Sequence, residues 1–230
     1  MNPSNDRARI RARRIMHYFI EAADEVIQQE GIGAITIRKV ADKAGYTSAT
    51  LYNYFDNLNH LIFLATMRHL EEYHDEVEQR VKSCKTPMDA YLVISECFCE
   101  HSFRKPEIYD ILFYRNQDGK VEEYTRQYYE LFESKKRDTA PTLPKIIGIH
   151  NLYRRSYIMM MECVSGGYFT SQNAEDFNEI AMLLYRGILK DVLEGKLNAA
   201  EAVTKTMKYY RQLMGFYIEP EYRGMLTAQK

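Results

Sequence analysis

Hydroxylated, small and aromatic side chains follow one another between Thr47 and Tyr54, and their chemistry suits contact with a polar, anionic surface. Hydroxyl and amide groups can hydrogen-bond to phosphate oxygens or base edges, and the small Ala49 allows close approach to a thymine methyl group. Phenol rings can pack against the protein while their hydroxyls hydrogen-bond to phosphates. These properties favour the major groove of double-stranded DNA as the surface that is contacted. The candidate contact residues in this run are Thr47, Ser48, Ala49, Thr50, Tyr52, Asn53 and Tyr54.

Two residues that precede this run extend the candidate interface. Thr36 is a good helix N-cap, and Arg38 follows in the first helical turn, where its guanidinium can bind a phosphate or a guanine. The free amide groups at the N-termini of two short helices add donors for phosphate. The alternative is a plain helical hairpin with a polar outer face, which the order of small, hydroxylated and aromatic residues disfavours.

Two short helices joined by a glycine must position these side chains. Apolar residues recur at spacings of three and four from Ile37, which predicts an amphipathic helix after the Thr36 cap. Gly45 supplies the turn, and we expect the next helix to run through Phe55. A longer first helix is expected from about Arg9 to Glu30, with one apolar stripe. This arrangement is typical of a helix-turn-helix.

Residues 10–62 resemble the N-terminal domain of the TetR/AcrR family of bacterial transcription regulators. The stretch ITIRKVADKAGYTSATLYNYFDNLNHLI has the A-x-x-A-G turn, followed by a hydroxyl cap, a small residue, Thr-Leu-Tyr and Tyr-Phe. The resemblance covers about a quarter of the chain. It implies a homodimer whose helical C-terminal domain usually contains an effector pocket.

One position departs from the family pattern. Family members usually have a lysine shortly after the Phe, where it contacts phosphate, and this sequence has Leu58 there. Loss of one phosphate contact predicts weaker DNA binding, with a salt dependence flatter by about one unit of slope. The arginines between Arg7 and Arg14 can compensate from the minor groove or the backbone, or they can form a solvated basic tail. Both interpretations remain open at this stage.

The composition limits the class of protein. The chain has 230 residues, of which 46% are hydrophobic, so a packed core is expected. Few prolines, glycines and period-two runs occur, which favours an almost entirely helical fold. A wholly non-specific polyanion binder would carry a clearly positive net charge, whereas the net charge of this chain is −1. The absence of a secretory signal and of a long apolar run predicts a cytoplasmic protein with free thiols.

We expect an all-α fold with two domains. A three-helix helix-turn-helix DNA-binding domain is expected over residues 9–56, and a helical ligand-binding and dimerisation domain over residues 57–220. The fourth helix is expected to run without interruption from Asn57 to about Cys84, so that it can transmit a shift between the domains. Later helices are expected over residues 87–104, 106–116, 120–137, 146–170, 174–195 and 199–217, with a break at residues 171–173.

Aromatic and methionine side chains are concentrated between residues 87 and 170. Met and Tyr line adaptable cavities well, and the family resemblance implies an effector cavity in this part of the chain. Ordinary helical core is the alternative, and it is the better explanation for any single one of these residues. The candidate pocket residues are Phe98, His101, Tyr109, Phe113, Tyr128, Phe132, Tyr157 and Met161.

Cys97 and His101 lie four residues apart on one predicted helix, so they share a face. They could form half of a soft-metal site, but no second cluster completes it, and no metal is expected.

A broad apolar stripe on the helix over residues 174–195 is wider than one intramolecular contact needs. Together with the family resemblance, the stripe predicts a dimer interface at which Ser165-Gly166-Gly167 allows close backbone approach. The two glycines can instead produce a kink. The candidate dimer residues are Gly166, Tyr168, Met182, Tyr185, Leu189 and Val192.

The sequence thus predicts a cytoplasmic, homodimeric, sequence-specific DNA-binding transcription regulator, a repressor rather than an activator. A small-molecule effector would release it from a palindromic operator. No cofactor is expected, and no catalytic motif is found, so the chain is not expected to be an enzyme. The alternatives are a regulator that is controlled by a protein partner or is architectural, a metal sensor, and a small helical enzyme or carrier.

Overall fold

A computed structural model of the chain describes residues 3–115, 119–132, 149 and 151–226. Every regular element in these residues is helical and none is a strand, which confirms the all-α class. The chain forms two compact units. The first contains the described residues up to Leu70 and those from Tyr114 to Phe132, and the second contains Glu71–Phe113 and the described residues from 149 onward. The boundary expected at residue 57 therefore falls inside the first unit.

The first unit consists of α1 and the short helices that pack on it. A 3-10 turn follows α1, and Phe19 of α1 is fully buried against Phe55, with ring centroids 5.9 Å apart. Helix α8 comes from much later in the chain and packs on α4. The elements of this unit are α1 (Pro3–Glu30), the 3-10 turn (Ile32–Ala34), α2 (Ile37–Ala44), α3 (Ser48–Tyr52), α4 (Leu58–Thr66), the start of α5 (Arg68–Arg80) and α8 (Val121–Phe132).

Side-chain caps determine where the short helices begin. The side chains of Thr36, Thr47 and Asn57 each accept a hydrogen bond from a backbone N–H three residues later, at 3.2, 3.2 and 2.9 Å. Gly45 adopts the left-handed conformation, φ 76°, and ends α2. These contacts confirm the capping pattern expected from the sequence. Helix α3 is shorter than expected, since its last α-helical residue is Tyr52.

The uninterrupted fourth helix that was expected to reach Cys84 is not formed. Helix α4 ends at Thr66, α5 begins at Arg68, and a 3-10 turn follows at Val81–Ser83. Only Met67 separates the two helices. Its N–H still donates a helical hydrogen bond to the carbonyl of Phe63 at 3.0 Å. The chain passes from the first unit to the second inside α5.

The second unit is built around α6, which packs on α9 and α11. Thr86 and Asp89 form a reciprocal capping box at its start, as the Pro87 signal favours. The elements of this unit after α5 are α6 (Pro87–Arg104), α7 (Pro106–Asp110) with a π-helical turn (Ile111–Arg115) whose last two residues belong to the first unit, α9 (Leu152–Ser165), α10 (Ser171–Leu193), α11 (Ala199–Tyr217) and a 3-10 turn (Pro220–Leu226).

The break between the last long helices lies earlier than expected. Helix α9 ends at Ser165, and Thr170 caps α10 by accepting a hydrogen bond from the N–H of Asn173 at 3.1 Å. The polar residues at 171–173 therefore form the first turn of α10 instead of interrupting a helix. The ends expected near residues 116, 137 and 146 lie outside the described residues. No described helix is both long enough and apolar enough to cross a membrane.

Candidate functional site

Helix α3 is attached to the first unit by one side and exposes the other. Leu51 is fully buried and Phe55 is 2% exposed, so these two residues fix the inner face. On the outer face Tyr52 is 57% exposed, and Ala49 and Asn53 are also exposed. A large aromatic residue that is held open to solvent beside small and amide side chains forms a surface suited to base edges and phosphates.

The remaining residues of this run are only partly available. Thr47 is exposed, and its hydroxyl lies 2.9 Å from the hydroxyl of Thr50. Ser48, Thr50 and Tyr54 are half-buried. Because Thr47 also caps α3, two of the predicted hydroxyl contacts are already engaged in positioning the helix.

Arg38 projects from the start of α2 with its side chain 90% exposed. Its nearest acidic partner is Asp42, whose carboxylate oxygen lies 3.8 Å from Nε, and that side chain is 71% exposed. An exposed pair of this kind contributes about 0–1 kcal/mol, so Arg38 can exchange it for a phosphate at little cost. Thr36 is exposed beside it.

The arginines near the N-terminus lie on a helix and not on an extended arm. Arg7, Arg11 and Arg14 are exposed and are spaced by four and three residues, so they share one side of α1. An α-helix is about 10–12 Å wide and the minor groove is about 6 Å wide, so the helix itself does not fit into the groove, although arginine side chains on it can still reach the groove or the phosphates. DNA contact by these arginines and a solvated basic surface therefore both stay predictions.

Leu58 is the first residue of α4 and is half-buried. The nearby cation is Lys120, whose Nζ lies 2.6 Å from a carboxylate oxygen of Asp56. The hydrogen bond from Lys120 lowers the pKa of the Asp56 carboxyl, although partial burial opposes it. Lys120 is thus paired with an acid of the same unit, and the position of the usual lysine remains apolar.

His60 joins α4 to α8 through two contacts, and a third contact connects its ring to the backbone just before α4. Its Nδ1 accepts a hydrogen bond from the N–H of Asp56 at 3.2 Å, and its Nε2 lies 2.7 Å from Oε1 of Gln127. Because Nδ1 is an acceptor, the proton lies on Nε2 and is donated to Gln127. The ring also stacks on Tyr124, and burial lowers the pKa of His60, so the neutral form is favoured. The sequence analysis missed this cluster because its members are far apart in the chain.

The second unit contains a small cavity of about 30 Å³. This is room for one or two waters. Phe98 is the one member of the predicted pocket set among the described residues that line it. The lining residues are Tyr73, Ile94, Ser95, Phe98, Cys99, Leu152, Arg155, Ser156, Met159, Met182, Tyr185 and Tyr210.

The other predicted pocket residues do not converge on this cavity. Tyr109 and Phe113 pack edge-on against Phe98, with ring centroids 5.4 and 5.6 Å away. Tyr128 and Phe132 belong to the first unit, where their rings contact each other. Tyr157 and Met161 are half-buried on α9, and His101 lies against Glu76. Helical spacing identifies a buried face, but it does not identify the unit or cavity to which that face turns.

Arg155 is the functional candidate that the sequence analysis missed. Its side chain is 4% exposed, and its guanidinium carbon lies 5.6 Å from the ring centroids of Tyr73 and Phe113. The available signal was its spacing, since Leu152, Arg155 and Met159 recur at three and four along the apolar stripe of α9.

Glu76 completes a three-donor cluster with Cys97 and His101. Ligand atoms of these three residues lie within 4.8 Å of one another. The His101 Nε2 is 2.6 Å from a Glu76 oxygen, and this hydrogen bond lowers the pKa of Glu76. Burial raises the pKa of the Cys97 thiol to about 12, so the thiol is protonated at neutral pH. Arg80 also donates to Glu76 and, at 2.6 Å, to Glu100. The sequence did not indicate Glu76, because this residue lies on α5 whereas Cys97 and His101 lie on α6.

The predicted dimer residues are distributed between core and surface. Tyr185 and Leu189 are 1% and 2% exposed, so both are buried in the second unit's own core and are not available to a partner in this structure. Met182 and Val192 are half-buried. Gly166 is exposed, and a Cβ there would lie 2.8 Å from the ring of Tyr168, so its small size serves packing inside the chain. Large apolar residues that do remain exposed on α10 and α11 are Ile180, Leu183 and Phe216.

Comparisons with known proteins agree on the family. Residues 7–63 match the model of bacterial regulatory proteins, tetR family. The FadR repressor of Thermus thermophilus, a TetR-family protein solved with lauroyl-CoA, is 16% identical over 85% of this chain and 92% of its own, with a TM-score of 0.55. A TetR regulator from Haloarcula marismortui is 14% identical over 90% and 99%, with a TM-score of 0.57. The fatty acid degradation regulator FadR of Bacillus halodurans is 12% identical over 87% and 95%, with a TM-score of 0.55. No curated protein matches this sequence.

The capped α2 and α3, with an exposed hydroxylated and aromatic surface, form a helix-turn-helix of the DNA-binding type. The match over residues 7–63 identifies this segment as the DNA-binding domain of the tetR family of bacterial regulatory proteins, as the sequence predicted. The chain is accordingly a DNA-binding transcription regulator. Members of this family are regulators and not enzymes, which supports in general terms the expectation that the chain is not an enzyme. The similarity to solved structures shows that the rest of the chain shares their fold.

Proposed function

We propose that this regulator is a homodimeric repressor that binds a palindromic operator in the cytoplasm and releases it when a small molecule binds the second unit. The observation that supports DNA contact is the outer face of α3, where Tyr52 is 57% exposed although its neighbour Leu51 is fully buried. The similarity to a repressor that was solved with lauroyl-CoA supports a ligand-controlled mechanism.

Sequence recognition is assigned to α3. Asn53 can pair with adenine, and Ala49 can contact a thymine methyl group. Tyr52, Tyr54, Thr47, Ser48 and Thr50 are assigned to phosphates, together with Thr36 and Arg38 at the start of α2. The arginine side of α1, formed by Arg7, Arg11 and Arg14, adds further phosphate contacts.

The dimer is assigned to the exposed apolar face of α10 and α11. Leu183 is 65% exposed and Phe216 is 78% exposed, and Ile180 lies one helical turn from Leu183. Residues 194–198 join α10 to α11 in a short connection, so the N-terminal half of α10 runs beside the C-terminal half of α11. Large apolar side chains that are exposed together in this way favour association with a second copy. Of the predicted residues on α10, Met182 is half-buried and adjacent to Leu183 in sequence, whereas Val192, nine residues after Leu183, lies on the opposite side of the helix.

Release of DNA follows from the geometry of a dimer. Two recognition helices fit successive major grooves only when they lie about 34–36 Å apart. A ligand that binds another spacing more tightly shifts the population toward it, with a coupling of about 1–3 kcal/mol between the two sites. A regulator that is controlled by a protein partner would show no such response to small molecules.

Selection of bound sequences from random duplex DNA tests the proposed function. We expect enrichment of a palindrome whose half-sites are about one helical turn apart. A variant in which Ala49, Tyr52 and Asn53 are replaced by glutamate is the matched control, because it retains the buried face of α3 and should enrich nothing. No enrichment with the unmodified protein would overturn the proposal.

A metal-responsive regulator is the second candidate, and the three-donor cluster of Glu76, Cys97 and His101 favours it. Cysteine, histidine and carboxylate are ligands of zinc and related metals. Titration of the protein with Zn²⁺ and then with a chelator tests this candidate. An operator affinity that changes with Zn²⁺ and loses that response in Cys97→Ser would support it, and an unchanged affinity would exclude it.

A further inference from the structure

Arg155 is a buried cation without a carboxylate partner in the described part of the chain. Its side chain is 4% exposed and lines the cavity of about 30 Å³ in the second unit. Three aromatic rings surround the guanidinium, whose carbon lies 5.6, 5.8 and 5.6 Å from the centroids of Tyr73, Phe98 and Phe113. Its Nη2 is buried and has no hydrogen-bond partner. Ring faces attract the positive charge, but they do not satisfy the forked N–H donors of an arginine.

The groups around Arg155 leave its charge uncompensated. Burial raises the pKa of Tyr73 to about 12, although a hydrogen bond with Arg155 opposes this, so the phenol is neutral. Burial likewise raises the pKa values of the nearby thiols Cys97 and Cys99. The carboxylate of Glu76, one turn beyond Tyr73 on α5, is bonded to His101 and Arg80. A buried charge that remains unpaired is costly, and such a cost is commonly relieved by a ligand of opposite charge.

We propose that Arg155 binds the carboxylate of an apolar small-molecule effector, an aryl or alkyl carboxylic acid. This inference rests on the proposed function, since it names the chemistry of the ligand that the second unit binds. A planar guanidinium presents paired donors that match the two oxygens of a carboxylate, and one cation balances one monoanion. The hydroxyls of Ser95 and Ser156 are the other polar side-chain groups of α6 and α9 on the wall.

The remainder of the wall favours an apolar body on the ligand. Ile94, Phe98 and Leu152 line the cavity beside two methionines, Met159 and Met182. The space of about 30 Å³ is smaller than any such ligand, so binding requires side chains to move. Methionine side chains are unbranched and adapt their shape readily, and they are the groups that give way. Arg155 and Tyr73, which is hydrogen-bonded to it, keep their positions and hold the carboxylate.

Thermal unfolding of the full chain with defined probes tests this inference. The probes are benzoate, hydrocinnamate and octanoate, with benzamide, hydrocinnamide and octanamide as uncharged counterparts and inorganic phosphate as an anion without an apolar body. At about ten times the dissociation constant, a bound carboxylate should raise Tm by roughly 3–6 °C. The amides and phosphate should leave Tm unchanged.

Two variants connect the response to Arg155. Arg155→Met removes the charge and retains an apolar side chain of similar length, and Arg154→Met makes the same change at the exposed neighbouring position. We expect Arg154→Met to respond as the unmodified protein does and Arg155→Met to show no response. Without ligand, Tm of Arg155→Met should be unchanged or higher, because an uncompensated charge has been removed. Arg155→Lys retains the charge but loses the paired donors, and it should bind carboxylates at least tenfold more weakly.

Three results would overturn the inference: no shift with any carboxylate, equal shifts with the amides, or an undiminished shift in Arg155→Met. Operator binding, measured on the same samples, separates this inference from the proposed function. A protein that binds its operator but no carboxylate contradicts the inference alone. A protein that binds carboxylates through Arg155 but enriches no DNA sequence contradicts the proposed function alone.

Discussion

The imidazole of His60 lies flat on the phenol ring of Tyr124, with ring centroids 3.9 Å apart and planes inclined by 9°. His60 is on α4, the helix that follows α3, and Tyr124 is on α8, 64 residues later in the sequence. The contact attaches α8 to the unit that contains the helix-turn-helix. The start of α4 is thereby held by a helix that no local sequence pattern associates with it.

The pH dependence of stability should reveal this contact. Burial lowers the pKa of His60 from its ordinary value of 6.5, so the unfolded chain binds the proton more readily than the folded chain. The stability contributed by neutral His60 is complete above the unfolded pKa of about 6.5 and is lost as pH falls from there toward the folded pKa. We therefore expect the free energy of unfolding of the unmodified protein to fall relative to that of His60→Asn across this window. Denaturant titrations at a series of pH values measure the difference, and a difference independent of pH would refute the assignment.

Leu58→Lys should restore the missing phosphate contact. The salt dependence of DNA affinity should steepen by about 0.9 unit of slope, and affinity at low salt should rise. Asn59→Lys is the matched control, because it adds the same charge at the exposed next position of α4. Binding isotherms at several salt concentrations measure both variants, and identical slopes for the two would show that position 58 does not face a phosphate.

The arginine side of α1 should contribute to affinity without contributing to sequence preference. Replacing Arg7, Arg11 and Arg14 by glutamine should flatten the salt slope by about 0.9 unit for each phosphate contact that is lost. The selected sequence should remain the same. Replacing Lys190, Lys196 and Lys205 by glutamine changes the net charge equally in the second unit and should leave the slope unaltered. An equal loss in both triple variants would indicate a general charge effect.

The exposed face of α10 and α11 should hold the dimer together. Leu183→Glu and Phe216→Glu should each shift the mass in analytical ultracentrifugation toward the monomer, because a charge would be buried in an apolar interface. Ile10→Glu is the control, since Ile10 is 49% exposed on α1 of the other unit. Dimers that persist in both variants would place the interface elsewhere.

Local signals were sufficient to predict the helix-turn-helix. Thr36, Gly45, Thr47 and Asn57 act on backbone groups within three or four residues, so their effect can be inferred from spacing alone. The same reasoning failed for the fourth helix, because nothing in the amphipathic pattern indicates that the chain interrupts its helix at Met67.

The locations of several buried side chains depend on tertiary contacts that local sequence patterns do not indicate. Phe98 and Tyr128 have similar sequence patterns, yet one lines the cavity and the other packs in the first unit. Arg155 was not singled out from the sequence, because arginines on amphipathic helices are usually solvated. Its burial depends on the rings of Tyr73, Phe98 and Phe113, which lie on three other elements.

The measurement that tests recognition by α3 most directly is the affinity of Asn53→Ala for the selected operator and for a scrambled duplex of equal length. Asn53 is the exposed C-cap residue that directly follows α3, and the loss of a base contact should cost about 1–3 kcal/mol on the operator alone, with an unchanged salt slope. Asn59→Ala, at an exposed position of α4, should bind both duplexes as the unmodified protein does. Equal losses on operator and scrambled DNA, or no loss on either, would contradict the assignment of sequence recognition to α3 and its C-cap residue.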